Sequence, residues 1–238
     1  MNNEKSANNR QIVLDTETTG LDPRQGHKII EIGCVEMINR RLTGNNYHQF
    51  IQPDREIDEG AQAVHGISNE FLADKPRFID VVKDFIEYID GSELIIHNAP
   101  FDVGFIDHEF KWAGAEYGSV ASYCSVIDTL VMARKMRPGK KNNLDVLCKE
   151  YEVNNAHREL HGALLDAELL AEVYLRMTGG QSALSLDSEE VSDSSTGEAV
   201  VKKLSADRPP IKIIRASDEE LKAHQAIVEK MGGDGAVW

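Results

Sequence analysis

The stretch that most constrains this chain is Ile12-Val13-Leu14-Asp15-Thr16-Glu17-Thr18-Thr19-Gly20. Three apolar β-formers run into two carboxylates spaced by two residues, and the chain then turns at glycine. Side chains at i and i+2 of a strand share a face. Asp15 and Glu17 should therefore project together from one strand end, beside a buried core. Carboxylates held that close repel one another and lose hydration, a cost that bound divalent cations remove. Mg²⁺ or Mn²⁺, which prefer oxygen ligands, suits such a place. The same residues also fit a strand ending in a solvated acidic turn.

Two later stretches bear on that choice. His97-Asn98-Ala99-Pro100-Phe101-Asp102 follows the apolar run Leu94-Ile95-Ile96, and His161-Gly162-Ala163-Leu164-Leu165-Asp166 opens an amphipathic helix over 163–177. Pro100 suits a first helical turn, which puts Asp102 near the positive end of a helix dipole, where it could simply cap the helix. Gly162 keeps His161 off the following helix and free to move. Four carboxylates and one histidine, in this order and with these neighbours, resemble the DEDD exonuclease family in its histidine-bearing branch. Within that branch the chain is similar to the proofreading (epsilon) subunits of bacterial DNA polymerase III. The resemblance covers about residues 10–180 and continues more loosely into the tail.

Periodicity alone yields an α/β alternation: strands over 11–17, 28–38, 47–52, 94–96 and 123–127, with helices over 58–64, 68–73 and 77–89, from Thr129, and over 143–151. Gly44-Asn45-Asn46 reads as the hairpin between the second and third strands. The resemblance implies more, an RNase H-like mixed β-sheet flanked by helices, with a flexible C-terminal tail. It also implies 3′–5′ hydrolysis of DNA ends to nucleoside 5′-monophosphates by two-metal catalysis. Asp15 would serve both metals, Glu17 and Asp166 would complete one site, and Asp102 would support the other. His161 would be the general base, because imidazole titrates near working pH. The expected substrate contacts are Asp15, Thr16, Glu17, His65, Asn98 and His161, with His97 helping to orient the site. A lone histidine in the turn Val64-His65-Gly66-Ile67 also fits a structural role. Selectivity for mismatches needs no base-reading group, since only a frayed end reaches the pocket and a mismatch lowers the cost of unpairing. Two rival readings are a free-standing exoribonuclease of the RNase T or oligoribonuclease kind, and a catalytically idle replisome adaptor.

The formal net charge of −14 speaks against a free nucleic-acid binder. Residues 1–180 carry −10 of it and 181–238 the other −4. An acidic enzyme with weak affinity for DNA calls for tethering, and the tail offers the means. Gln181-Ser182-Ala183-Leu184-Ser185-Leu186 resembles a sliding-clamp-binding motif, residues 185–200 have a linker's composition, and Ser217-Asp218-Glu219-Glu220 is a capping box opening a helix. Leu221, His224, Ile227, Val228 and Met231 give that helix an apolar stripe. The expected division is an exonuclease domain (1–180), a clamp motif and flexible linker (181–208), and a polymerase-binding segment (209–238). By resemblance the partners are the polymerase III alpha subunit for 209–238 and the sliding clamp for Gln181, Leu184 and Leu186. Within the domain, the basic run Arg134, Lys135, Arg137, Lys140 and Lys141 is a candidate for holding phosphates, or simply a solvated face. Cys34, Cys124 and Cys148 lack metal-ligand spacing and read as buried apolar residues in a reducing compartment. No apolar run reaches membrane-spanning length, and the polar start lacks a signal peptide, so a cytoplasmic protein is expected.

Overall fold

A computed structural model describes residues 10–156, 158, 160–179 and 216–230. They fall in two units, divided between Ser185 and Leu186. The first is organised by β1 (Arg10–Thr18), which pairs antiparallel with β2 (Ile29–Ile38) along its whole length. Two short strands, β3 (Arg41–Leu42) and β4 (Tyr47–Phe50), both pair with β2 on its other side. On the opposite side of β1 lie β5 (Glu93–Ile96) and then β6 (Ser125–Asp128), both parallel to it. The six strands form one mixed sheet in the order β3-β2-β1-β5-β6, with β4 also on β2.

Alternation along β1 divides the interior into two cores. Ile12 and Leu14 face an aromatic core built by Phe78 and Phe85 of one helix and Phe105 and Phe110 of another. Val13 faces an aliphatic core with Val35, Ile95, Leu147, Leu170 and Val173. The helices are, in order, α1 (Glu59–His65), α2 (Asn69–Leu72), α3 (Phe78–Ile89), α4 (Ala99–Ala113), α5 (Thr129–Met136), α6 (Leu144–Glu150) and α7 (Ala163–Gly179). The stripe expected over 77–89 is the buried face of α3: Phe78, Val81, Val82, Phe85 and Ile89. Phe85, Phe105 and Phe110 are fully buried, and each such side chain stabilises the fold by roughly 2–3 kcal/mol.

One turn differs from the expectation. β2 reverses at Asn39-Arg40, with φ of 51° and 63°, and enters β3 before Gly44-Asn45-Asn46 leads on to β4. An arginine in left-handed backbone costs about 1–2 kcal/mol. Here its guanidinium recovers two hydrogen bonds at the end of α7, to the Leu175 carbonyl and the Thr178 hydroxyl, each 2.8 Å.

In the second unit, α8 (Asp218–Lys230) begins at the expected capping box. The Ser217 amide donates to the Glu220 carboxylate (2.7 Å), and the Glu220 amide donates to the Ser217 hydroxyl (3.3 Å). Leu221 and Ile227 of its stripe are exposed. Gln181, Leu184, Leu186, the linker, Met231 and Trp238 lie outside the described residues. No described helix is long and apolar enough to cross a membrane.

Candidate active site

Past Leu14 the alternation of β1 continues, but its residues turn polar. Asp15 and Glu17 follow Val13 toward α7, while Thr16 follows Ile12 and Leu14 toward α4. Opposite Asp15 on β2 stands Gly33. A Cβ there would lie 2.2 Å from the backbone of Ala163 and Leu164. Glycine at 33 therefore lets the first turn of α7 rest on the sheet, which carries Asp166 to the pair on β1. On the other side, Asn98 takes a left-handed conformation (φ 70°) as N-cap of α4, and its amide donates to Asp128 at 3.3 Å. Asp128 also accepts from the Leu130 amide (2.8 Å), so one carboxylate fixes the ends of β5 and β6 together. Asp102 then falls in the first turn of α4, where the Thr16 hydroxyl donates to it at 2.7 Å.

Asp15, Thr16, Glu17, Asn98, Asp102, His161 and Asp166 all line one open cavity of about 460 Å³, with His97 and Phe101. Burial holds Asp15 well above the usual carboxylate range, and the neighbouring charges of Asp102, Glu17 and Asp166 push the same way. Glu17 is raised to about 8, by burial first and then by Asp166 and Glu31. Asp102 is raised to about 7 because burial outweighs the hydrogen bond from Thr16. Such a cluster is short of positive charge. Its donors are carboxylate oxygens and one imidazole, and Glu17, His161 and Asp166 each bring a ligand atom within 4.8 Å of the others. That donor set fits a hard divalent cation.

The residue that sequence reasoning missed is Arg158. Its Nε and one terminal nitrogen grip both oxygens of Asp166 (2.5 and 2.6 Å), and its other terminal nitrogen bonds Asp145 (2.6 Å). The nitrogen on Asp166 also lies 2.8 Å from Nδ1 of His161. His161 precedes α7 as expected, yet it is not free: Arg158 holds its ring, and its amide donates to the Val64 carbonyl (3.1 Å). An arginine three residues before the histidine, in a stretch with no periodicity, was the one available signal.

His65 stands apart from this cavity. It is buried, accepts a hydrogen bond from the Ile67 amide at Nδ1 (3.0 Å), and lines a second cavity with Leu21, Ala61, Val64 and Phe101. That apolar cavity shares Thr16, Glu17 and Phe101 with the first. His97 donates from Nδ1 to the Thr129 hydroxyl (2.9 Å), which itself donates to the Ile96 carbonyl. The basic run divides. Arg137 is buried against Glu150 (2.9 Å) and Asn142 (3.1 Å) and is structural. Arg134, Lys140 and Lys141 line a groove that continues from the first cavity through His97, Asn98 and Asn143.

A family model described as an exonuclease matches residues 12–174, spanning every carboxylate of the cluster. The chain belongs to this exonuclease family. It is 52% identical over 231 residues to the DNA polymerase III subunit epsilon of Salmonella typhimurium, covering 94% of this chain and 95% of that one. The epsilon subunit of Escherichia coli is 51% identical over the same length and with the same coverage. Among solved structures, exonuclease X in complex with 5′ overhanging duplex DNA is similar, with a TM-score of 0.55 and 28% identity over 71% of this chain and 91% of that one. A 3′-exonuclease solved in a study of histone mRNA stem-loop recognition shares the fold, with a TM-score of 0.62 and 17% identity over 76% of this chain and 67% of that one. The enzyme is thus a 3′–5′ exonuclease of the epsilon kind, as its motifs implied.

Proposed function

We propose that this exonuclease proofreads DNA, removing unpaired or mismatched nucleotides from 3′ ends as the partner of a replicative polymerase. The observation that carries the reading is the convergence of Asp15, Glu17, Asp102, Asp166 and His161 on one open cavity beside an apolar one. An unstacked terminal base fits the apolar cavity between Leu21, Val64 and Phe101, which lays its phosphate over the carboxylates. The strand behind it follows the groove of Arg134, Lys140 and Lys141, whose charges attract phosphates by long-range steering.

Asp15, Glu17, Asp102 and Asp166 hold two divalent cations, Mg²⁺ or Mn²⁺, which when bound offset the charge on the attacking and leaving oxygens. Thr16 keeps Asp102 in place through its hydroxyl. His161 accepts the proton of the attacking water at a ring nitrogen, and Asn98 with His97 shapes the wall facing the scissile phosphate. His65, enclosed behind Val64, supports the base cavity from within. Paired ends are spared because extruding a base costs roughly a few kcal/mol, and a mismatch lowers that cost.

The polymerase partner follows from the names of the relatives and from the exposed apolar stripe of α8. Residues 1–180 act as the catalytic domain, 181–208 carry the clamp motif, and 209–238 bind the polymerase alpha subunit. A replication enzyme of this kind works in the cytoplasm. The test is release of nucleoside 5′-monophosphates from matched, mismatched and RNA 3′ ends, with Mg²⁺ and with EDTA. Faster loss of mismatched DNA ends is expected. RNA cut faster than any DNA end would favour a free-standing exoribonuclease, and no cleavage at all an idle adaptor.

A further inference from the structure

Arg158 is the one lysine or arginine among the described residues lining the cavity. Its side chain is 6% exposed. Two-pronged grips on a carboxylate are among the strongest hydrogen-bonded pairs in proteins, and this one engages both oxygens of Asp166. The nitrogen on Asp166 also reaches His161, so it contacts two of the three corners of the Glu17, His161 and Asp166 triangle. The guanidinium therefore occupies the place where that triangle would hold a cation.

We propose that Arg158 is a resident counter-cation, which fills this position in the metal-free enzyme and must release Asp166 when a metal ion binds. The idea rests on the proposed metal ligands. Each oxygen of Asp166 accepts one bond from Arg158 and keeps a second lone pair, but a guanidinium this close sets its charge against that of any cation entering the triangle. Asp145 keeps its own bond to Arg158 and sits more than half exposed at the cavity rim, so the side chain has an anchor to swing on. Release also frees His161. The same guanidinium nitrogen holds Nδ1 of the ring at 2.8 Å, so its departure from Asp166 loosens the imidazole as well.

The sign of a change in metal affinity decides the matter. A group that merely supports a metal ligand strengthens the site, and removing such a group typically weakens binding by roughly 10–100-fold. A competitor does the opposite. Titrating Mn²⁺ alone into the stripped full-length protein by calorimetry should show Arg158→Ala binding about tenfold tighter than wild type, while its metal-free form melts at a lower temperature. Equal or weaker binding by Arg158→Ala overturns the proposal. Should that variant fail to fold, nitrogen NMR of the unmodified chain serves instead. Mg²⁺ should shift one protected arginine Nε–H signal and speed its exchange with water; arginine signals that stay unchanged while the Asp166 amide shifts overturn the proposal as well. Wild type that binds Mn²⁺ as described but cuts no 3′ end would refute the proposed reaction and leave the role of Arg158 standing. No Mn²⁺ binding at all removes both.

Discussion

Glu17→Gln should stabilise the metal-free protein, and the gain should grow with pH. Glutamine keeps the shape of the side chain and removes its charge. In the folded wild type, Glu17 holds its proton up to about 8, against an ordinary value of 4.5. Between those values the native state retains a proton that the unfolded chain has lost, so stability falls as pH rises through that window. At about 1.4 kcal/mol per pH unit the full difference is about 5 kcal/mol. The cavity is open, and water reaching the partly buried carboxylate screens it, leaving roughly 2–4 kcal/mol. For a domain of this size that corresponds to roughly 5–15 °C in Tm. Thermal unfolding in EDTA, followed by circular dichroism for both proteins, measures it. The two should nearly coincide at about pH 4 and separate steadily up to about pH 8.5, with the variant higher. Excess Mg²⁺ at the upper end should stabilise wild type more than the variant, because binding to the folded state alone raises stability. A gap that is constant with pH, or one that closes as pH rises, refutes the account of Glu17 as an uncompensated carboxylate.

Three further outcomes follow from the same geometry. Asp15→Ala should retain its fold by circular dichroism yet lose about 100-fold or more of its hydrolysis of single-stranded DNA; a loss under tenfold would exclude Asp15 as a shared ligand. Gly33→Ala should cost about 1–3 kcal/mol in denaturant unfolding, since its methyl group meets the backbone of α7, and should lower turnover by displacing Asp166. A chain cut after residue 180 should still trim single strands while failing to bind the polymerase alpha subunit in a pull-down, and tight binding by the truncated chain would assign that contact to the catalytic domain instead.

Strand period gave the direction of Asp15 and Glu17, while Asp102 and Asp166 joined them as candidates through the family resemblance; the structure brings all four to one cavity. Asp15 and Glu17 extend a strand whose earlier residues declare the buried faces, and Asp102 and Asp166 lie in first helical turns. The aromatic stripe of α3 was legible from its period as well. Arg158 was not, because no apolar period in the sequence around it assigns a direction, and its partners Asp145 and Asp166 are 13 and 8 residues away. Nor was the splitting of the basic run, since only packing against Glu150 distinguishes Arg137 from Lys140 and Lys141. The reversal at Asn39-Arg40 was hidden by a stronger turn signal at Gly44-Asn45-Asn46, and what holds it is a tertiary contact to α7. The apolar cavity beside the carboxylates joins Leu21, Val64 and Phe101 from three distant stretches, which local patterns cannot bring together.

Neighbouring residues of β1 answer to different cores. Thr16, and Asp102 through it, follow the aromatic layer beneath α3 and α4, whereas Asp15, Glu17 and Asp166 follow the aliphatic layer beneath α7. The proposed donor set thus behaves like a vernier, reading the offset between two layers that meet on β1. A slip of well under an ångström would leave either layer intact and still misalign the scale, because a small hard cation such as Mg²⁺ tolerates little error in ligand position. Sheet rigidity is then a catalytic property in its own right, and substitutions far from the cavity that soften the sheet should silence the enzyme well before they unfold it.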